Sequence, residues 1–106
     1  MPSQEINELK ELFVKNLSPE SIFLFGSFAK GCENEDSDFD FYIVMSDETE
    51  DIAGTAAKAY KSIRHVKKRP VDILVGTKQA FESRKMIPSV EKEVFSTGVM
   101  IYERRS

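Results

Sequence analysis

A chain of 106 residues has room for one hydrophobic core, and a composition 41% hydrophobic and 31% charged is that of a soluble globular domain. Fifteen basic against eighteen acidic residues leave a net charge of −3, which argues against a general nucleic-acid coat. The single cysteine, Cys32, excludes an internal disulfide and offers no zinc-ligand spacing, and no apolar run approaches the ~20 residues of a membrane span. Met1-Pro2-Ser3-Gln4 has no basic stretch leading into an apolar core, so a cytoplasmic protein is expected.

Ser3 to Leu17 reads as an amphipathic helix: Ile6, Leu9, Leu12, Phe13 and Leu17 recur at helical spacing, with Glu5, Glu8, Lys10, Glu11 and Lys15 on the other face. Ser3 is the expected N-cap, and Ser18-Pro19 ends the helix. Ser21 to Phe25 is a short apolar run that suits a strand buried on both faces. Gly26-Ser27 breaks it, Phe28-Ala29-Lys30 forms a helical turn before Gly31, and residues 32–36 form a polar loop. Asp38 to Met45 is the second strand, apolar from Phe41 onward and so expected to be central. An acidic connection, Ser46 to Asp51, leads to a helix with the stripe Ile52, Ala56, Ala59, Tyr60, Ile63 and Val66, which ends in the basic cluster His65 to Arg69.

Pro70 stops that helix, and Val71-Asp72-Ile73-Leu74-Val75 is the third strand. A short helix through Ala80, Phe81 and Met86 follows Gly76-Thr77. A further helix, Pro88 to Ser96, is expected to turn Val90, Val94 and Phe95 inward and to close on a Gly98 cap. Val99 to Tyr102 is the last strand. This order predicts one α/β (α+β) domain over residues 1–106, with a small mixed sheet covered by helices. The helix between the second and third strands permits a parallel crossover; the first and second strands can pair in either direction.

Asp38 and Asp40, one residue apart in a strand, point to one face, and two adjacent anions call for a divalent cation such as Mg²⁺. Asp72 interrupts an apolar strand expected to be buried, where a lone carboxylate is costly. Three carboxylates on two adjacent strands can converge on two metal ions. Gly26 lets backbone amides approach an anion, and the Ser27 hydroxyl adds a donor for phosphate oxygens. Together these residues predict a metal-dependent site acting on a nucleoside triphosphate.

With Gly26-Ser27, Asp38-Phe39-Asp40 eleven residues after Ser27, Asp72 on a later strand, and Gly31 and Ser37 also matching, the sequence resembles the DNA polymerase β-like nucleotidyltransferase superfamily. More narrowly, the closing helix-glycine-strand, Ser89 to Glu103, is similar to that of the minimal nucleotidyltransferases, the MntA-like antitoxins. The resemblance implies the polymerase β-like fold, with Asp38, Asp40 and Asp72 holding two Mg²⁺ ions and ATP as donor. It implies that Gly26 and Ser27 hold the β- and γ-phosphates, aided by Lys30 and Ser37. Lys30 stands where the minimal family often has arginine, keeping the charge but losing the fork.

The implied reaction transfers AMP to a hydroxyl, with a tyrosine of a HEPN-domain toxin as acceptor, in a homo- or hetero-oligomer without direct nucleic-acid binding. Only about thirty residues follow the third strand, so an acceptor presented by another molecule is expected. Two alternatives stay open: a non-catalytic antitoxin or complex subunit, and a small-molecule, aminoglycoside-type enzyme working as a dimer. The remaining polar features read as structural: His65 and Lys67-Lys68-Arg69 as solvated surface, Cys32 as a bystander, and Asp47 to Asp51 as a solvated face lacking the glycine and closing glutamate of a calcium loop.

Overall fold

The apolar stripe of α1 (Ser3–Leu17) buries Ile6, Leu9, Phe13 and Leu17, as helical periodicity dictates. The helix stops where Ser18 adopts φ 51° and donates its amide to the Val14 carbonyl, just before Pro19. This computed structural model describes residues 3–31 and 37–105. After α1 come β1 (Ser21–Phe25), α2 (Ser27–Lys30), β2 (Phe39–Met45), α3 (Ile52–Ile63), β3 (Val71–Thr77), α4 (Lys78–Arg84), α5 (Val90–Thr97) and β4 (Val99–Glu103). Among the described residues no helix is long and apolar enough to cross a membrane.

The strands form a four-stranded mixed sheet in the order β3-β2-β1-β4. β1 is antiparallel to both β2 and β4, while β2 and β3 run parallel across the α3 crossover. The two most apolar strands, β1 and β2, are the inner pair, as their uninterrupted sequences predict.

Alternation along the strands sorts side chains onto two faces. Phe39, Phe41 and Ile43 join Ile22, Leu24, Val71 and Ile73 beneath α1 and α3, with Phe13 edge-on to Phe41 at 5.2 Å. The opposite face carries Phe23, Phe25, Tyr42 and Val44 under Phe81 of α4 and Val94 of α5. Phe23 and Phe81 stack there at 5.2 Å.

Several elements differ from their sequence expectation. α3 ends at Ile63, leaving Val66 exposed in the turns beyond it. β3 continues through Gly76 and Thr77, whose side chain then caps α4 by accepting from the Ala80 amide. As an edge strand β3 alternates, with Val71 and Ile73 buried and Asp72 and Leu74 exposed. Asp72 is therefore at the surface rather than buried.

α5 starts after an Ser89 cap and is rotated from the expected orientation: Val94 is buried, but Phe95 is 47% and Val90 37% exposed, and Glu91 turns inward. Gly98 is the expected C-cap, its amide donating to the Val94 carbonyl at 2.9 Å, but not in the left-handed conformation. Its backbone is extended, and glycine is required because a Cβ would press on the Val94 and Leu24 carbonyls. The acidic connection is less idle than a solvated face. Asp51 caps α3 through the Gly54 amide at 2.8 Å, and Asp47 accepts from the Gln79 amide at 2.7 Å.

Candidate active site

Asp40 is the centre of the site because of register. It lies opposite Phe25, the last residue of β1, on one side and opposite Asp72 of parallel β3 on the other. Asp40 and Asp72 share the parity of Tyr42 and so lie on the sheet face covered by α4 and α5. The two carboxyl groups lie close enough to act on each other by charge and hydrogen bonding. Asp38, expected inside the strand, immediately precedes it and acts on Asp40 electrostatically.

These neighbours make ionisation of Asp40 difficult. Burial is the largest cause, followed by the negative charges of Asp72 and Asp38, the hydrogen bond to Asp72 and the charge of Glu93, and together they raise its pKa from 3.8 to about 6. Glu93, on α5, is a fourth carboxylate that sequence reasoning did not place at the site. Only the packing of α5 against β1 brings it there.

The Gly26 turn closes the site from β1. Gly26 has φ +77° and ψ −153°, outside what L side chains readily adopt, and an added Cβ would run into the Asp40 carboxylate, 3.0 Å from its Cγ. Glycine is therefore demanded twice, by the turn and by its approach to Asp40. The turn leads into the four-residue α2, capped by Gly31 at φ 73°. Ser27 opens α2, directly after the glycine beside Asp40. Ser37 adjoins Asp38, and its carbonyl accepts from Arg69. The Lys30 side chain, Cys32 and the polar loop at 32–36 lie outside the described residues.

Among the described residues no three His, Cys, Asp or Glu side chains draw together tightly enough to hold a metal ion by themselves. The donor set nonetheless fits Mg²⁺, a hard cation usually held by one or two carboxylates with phosphate oxygens completing its shell. The neighbouring Asp40 and Asp72 supply two such carboxylates, and the resistance of Asp40 to ionisation is what a cation would relieve.

Two arginines read from sequence as surface, or not singled out, have partners nearby. Arg69 is half-buried against Glu5, Phe28 and Phe39. Arg84 donates to Glu91 at 3.0 Å, and Glu91 in turn accepts from the Tyr42 hydroxyl at 2.8 Å. Burial pushes Glu91 up, but the hydrogen bonds from Arg84 and Tyr42 outweigh it and hold the carboxyl below its usual range. Burial and the same bond to Glu91 push the Tyr42 phenol well above its ordinary value. A cavity of about 440 Å³ lies away from the carboxylates, lined by Phe23, Phe81, Phe95 and Met100 between α4, α5 and the β1–β4 pair.

Structures similar to this chain share its fold. A toxin–antitoxin complex with AMP-PNP superposes with TM-score 0.59 at 18% identity, covering 99% of this chain and 76% of the other. A tri-AMPylated Shewanella oneidensis HEPN toxin in complex with MNT antitoxin gives TM-score 0.58 at 19% identity, covering 98% and 74%. A MntA–HpeT toxin–antitoxin mutant gives TM-score 0.59 at 22% identity, covering 93% and 72%. No curated protein matches the sequence. The family described as Polymerase beta, Nucleotidyltransferase matches residues 7–106. With that match across nearly its whole length, the chain belongs to the polymerase β nucleotidyltransferase family.

Proposed function

We propose that this protein transfers AMP from ATP to a hydroxyl group with release of pyrophosphate, and that the acceptor is a tyrosine on a HEPN-type toxin partner. The observation that carries the reading is the meeting of Asp40 with Asp72 across parallel strands while Gly26 backs onto the same carboxylate. Asp38, Asp40 and Asp72 would hold two Mg²⁺ ions, which when bound supply positive charge for the triphosphate and for the oxygens entering and leaving phosphorus. The amides of the Gly26-Ser27 turn and the Ser27 hydroxyl would orient the β- and γ-phosphates.

Asp72, the exposed member of the carboxylate pair, is accessible to an incoming acceptor and would orient its hydroxyl and take its proton. The acceptor oxygen forms a bond to the α-phosphorus as the bond to the bridging oxygen breaks, and pyrophosphate carries away that electron pair. The partner assignment draws on the similar toxin–antitoxin complexes, one with an AMPylated HEPN toxin. It also draws on the exposed apolar side chains Met86, Ile87, Val90, Phe95, Val99 and Met100 as surface for a protein partner.

The test incubates the protein with α-labelled ATP, Mg²⁺ and the product of the neighbouring gene. Label should appear on the partner and vanish with Asp38→Ala combined with Asp40→Ala. Absence of transfer by the unaltered protein refutes the activity, and neutralisation of the toxin that survives the double substitution favours a purely binding antitoxin.

A further inference from the structure

The guanidinium of Arg69 ties together α1, α2, the residue before Asp38 and the start of β2. It forms a forked pair with Glu5 of α1, Nε donating to Oε2 at 3.1 Å and Nη2 to Oε1 at 3.2 Å. Nη1 donates to the Ser37 carbonyl at 3.4 Å. The same group lies over two aromatic rings, 5.2 Å from the Phe28 centroid and 4.7 Å from that of Phe39, and those rings pack 4.7 Å apart. Phe28 follows Ser27 in the turn, Ser37 precedes Asp38, Phe39 separates Asp38 from Asp40, and Arg69 itself stands three residues before Asp72.

Both ionic partners are largely withdrawn from water, with 20% of the Arg69 and 14% of the Glu5 side chain exposed. A pair desolvated to this degree returns little net stability, so its contribution is better sought in geometry. Its geometry is specific to arginine. A planar fork can engage one carboxylate with two donors, reach a carbonyl with a third and still present its faces to two rings, whereas lysine offers a single point charge. The Phe39 amide adds a second tie at the same place, donating to the carbonyl of Pro70 at 3.1 Å.

We infer that Arg69 is a positioning residue that locks the Gly26-Ser27 turn against the start of β2 and thereby sets the spacing between phosphate-binding amides and carboxylates. Its consequence for ligand binding rests on the nucleotide-and-metal reading above; the lock itself does not. The experiment uses the full chain and compares Arg69→Lys with Ile63→Val, a change in the α3 core that serves as a control for general destabilisation.

Residue-resolved amide exchange on the metal-free protein reads the lock. Arg69→Lys should speed exchange of the Gly31 and Phe39 amides by about tenfold beyond any change in the α3 amides, whereas Ile63→Val moves them together. Mn²⁺ titration, followed by paramagnetic broadening, reads the consequence: half-saturation near Asp40 should rise about fivefold or more in Arg69→Lys and stay put in Ile63→Val. Uniform exchange in Arg69→Lys overturns the lock whether or not Mn²⁺ binds. Selective exchange with unchanged half-saturation overturns its role at the site. No site-selective broadening in the unaltered protein refutes the metal reading of the carboxylates, and exchange alone then decides Arg69.

Discussion

Replacing Asp40 with asparagine should stabilise the metal-free protein while removing its activity. The Asp40 carboxyl titrates at about 6 rather than 3.8 because burial and the anions Asp72, Asp38 and Glu93 all oppose its charge. A shift of about two units corresponds to ~3 kcal/mol at ~1.36 kcal/mol per unit, and solvent screening of this half-buried group reduces that to about 1–2 kcal/mol. The sign follows from proton counting. Below 3.8 Asp40 is protonated in both folded and unfolded chains and costs nothing. Between 3.8 and about 6 the unfolded chain releases the proton and the folded chain keeps it, so stability falls as pH rises. Above about 6 the whole penalty is present.

Asparagine cannot ionise and can still hydrogen-bond to Asp72, so Asp40→Asn gains the full difference at high pH and none at low pH. For a domain of this size that is a rise in Tm of about 5–10 °C near pH 8 in EDTA, followed by circular dichroism. An unchanged or lower Tm near pH 8, or an equal gain near pH 4, would refute the electrostatic reasoning. Added Mg²⁺ should reverse the order by stabilising the unaltered protein and not the variant.

Gly26→Ala should cost about 1–3 kcal/mol in urea denaturation and abolish nucleotide binding, since it adds a collision with Asp40 to a strained φ. Gly31→Ala, at φ +73° with nothing within 4 Å of its new Cβ, should cost only the backbone term of about 1 kcal/mol. Tyr42→Phe should lose about 1.5–3 kcal/mol, as expected for a buried hydrogen bond to a carboxylate. Because the folded Glu91 carboxyl is held below 4.5, its stabilisation is present above that pH and is lost as pH falls through its lowered value; Arg84→Met should shrink this acid-side loss in pH-dependent melts. Gly54→Ala alone should destabilise α3, because its Cβ meets the Asp51 cap; in an Asp51→Ala background the same change should stabilise by roughly 1 kcal/mol through helix propensity, a non-additivity measured by a double-mutant cycle.

What the sequence disclosed about the fold is what short-range physics controls. Continuous apolar runs marked β1 and β2 as the inner strands, and Asp38-Phe39-Asp40 and Gly26-Ser27 are chain neighbours whose grouping needs no tertiary information. The antiparallel pairing that brings Gly26 against Asp40 was one of two directions the connection allowed, and only the register shows why glycine is needed there. Asp72 was placed on the correct strand for a mistaken reason: β3 is an edge, so its carboxylate faces solvent and avoids the burial cost assigned to it. α5 defeated periodicity because Glu91 is drawn inward by Tyr42, 49 residues earlier in sequence, and by Arg84. Arg69 was hidden by its neighbours. Within Lys67-Lys68-Arg69 nothing local separates the two exposed lysines from the arginine that reaches back to Glu5.

The two carboxylates on one sheet face show which part of this charge distribution serves folding. Glu91 and Asp40 approach β2 two residues apart, the first against Tyr42 and the second within the strand. Around Glu91 the chain supplies a guanidinium and a phenol, and the carboxylate is held ionised. Around Asp40 it supplies three more carboxylates, from β3, from the entrance of β2 and from α5, and every one of them opposes ionisation. Burial cannot be the whole cause of this contrast, because burial pushes both carboxyls up and only Glu91 has partners that outweigh it. On the opposite sheet face Arg69 spends its fork on Glu5 and Ser37, against Phe28 and Phe39. Arg84 on this face thus holds the scaffold through Glu91, whereas a cation arriving with a ligand would relieve the charge gathered around Asp40.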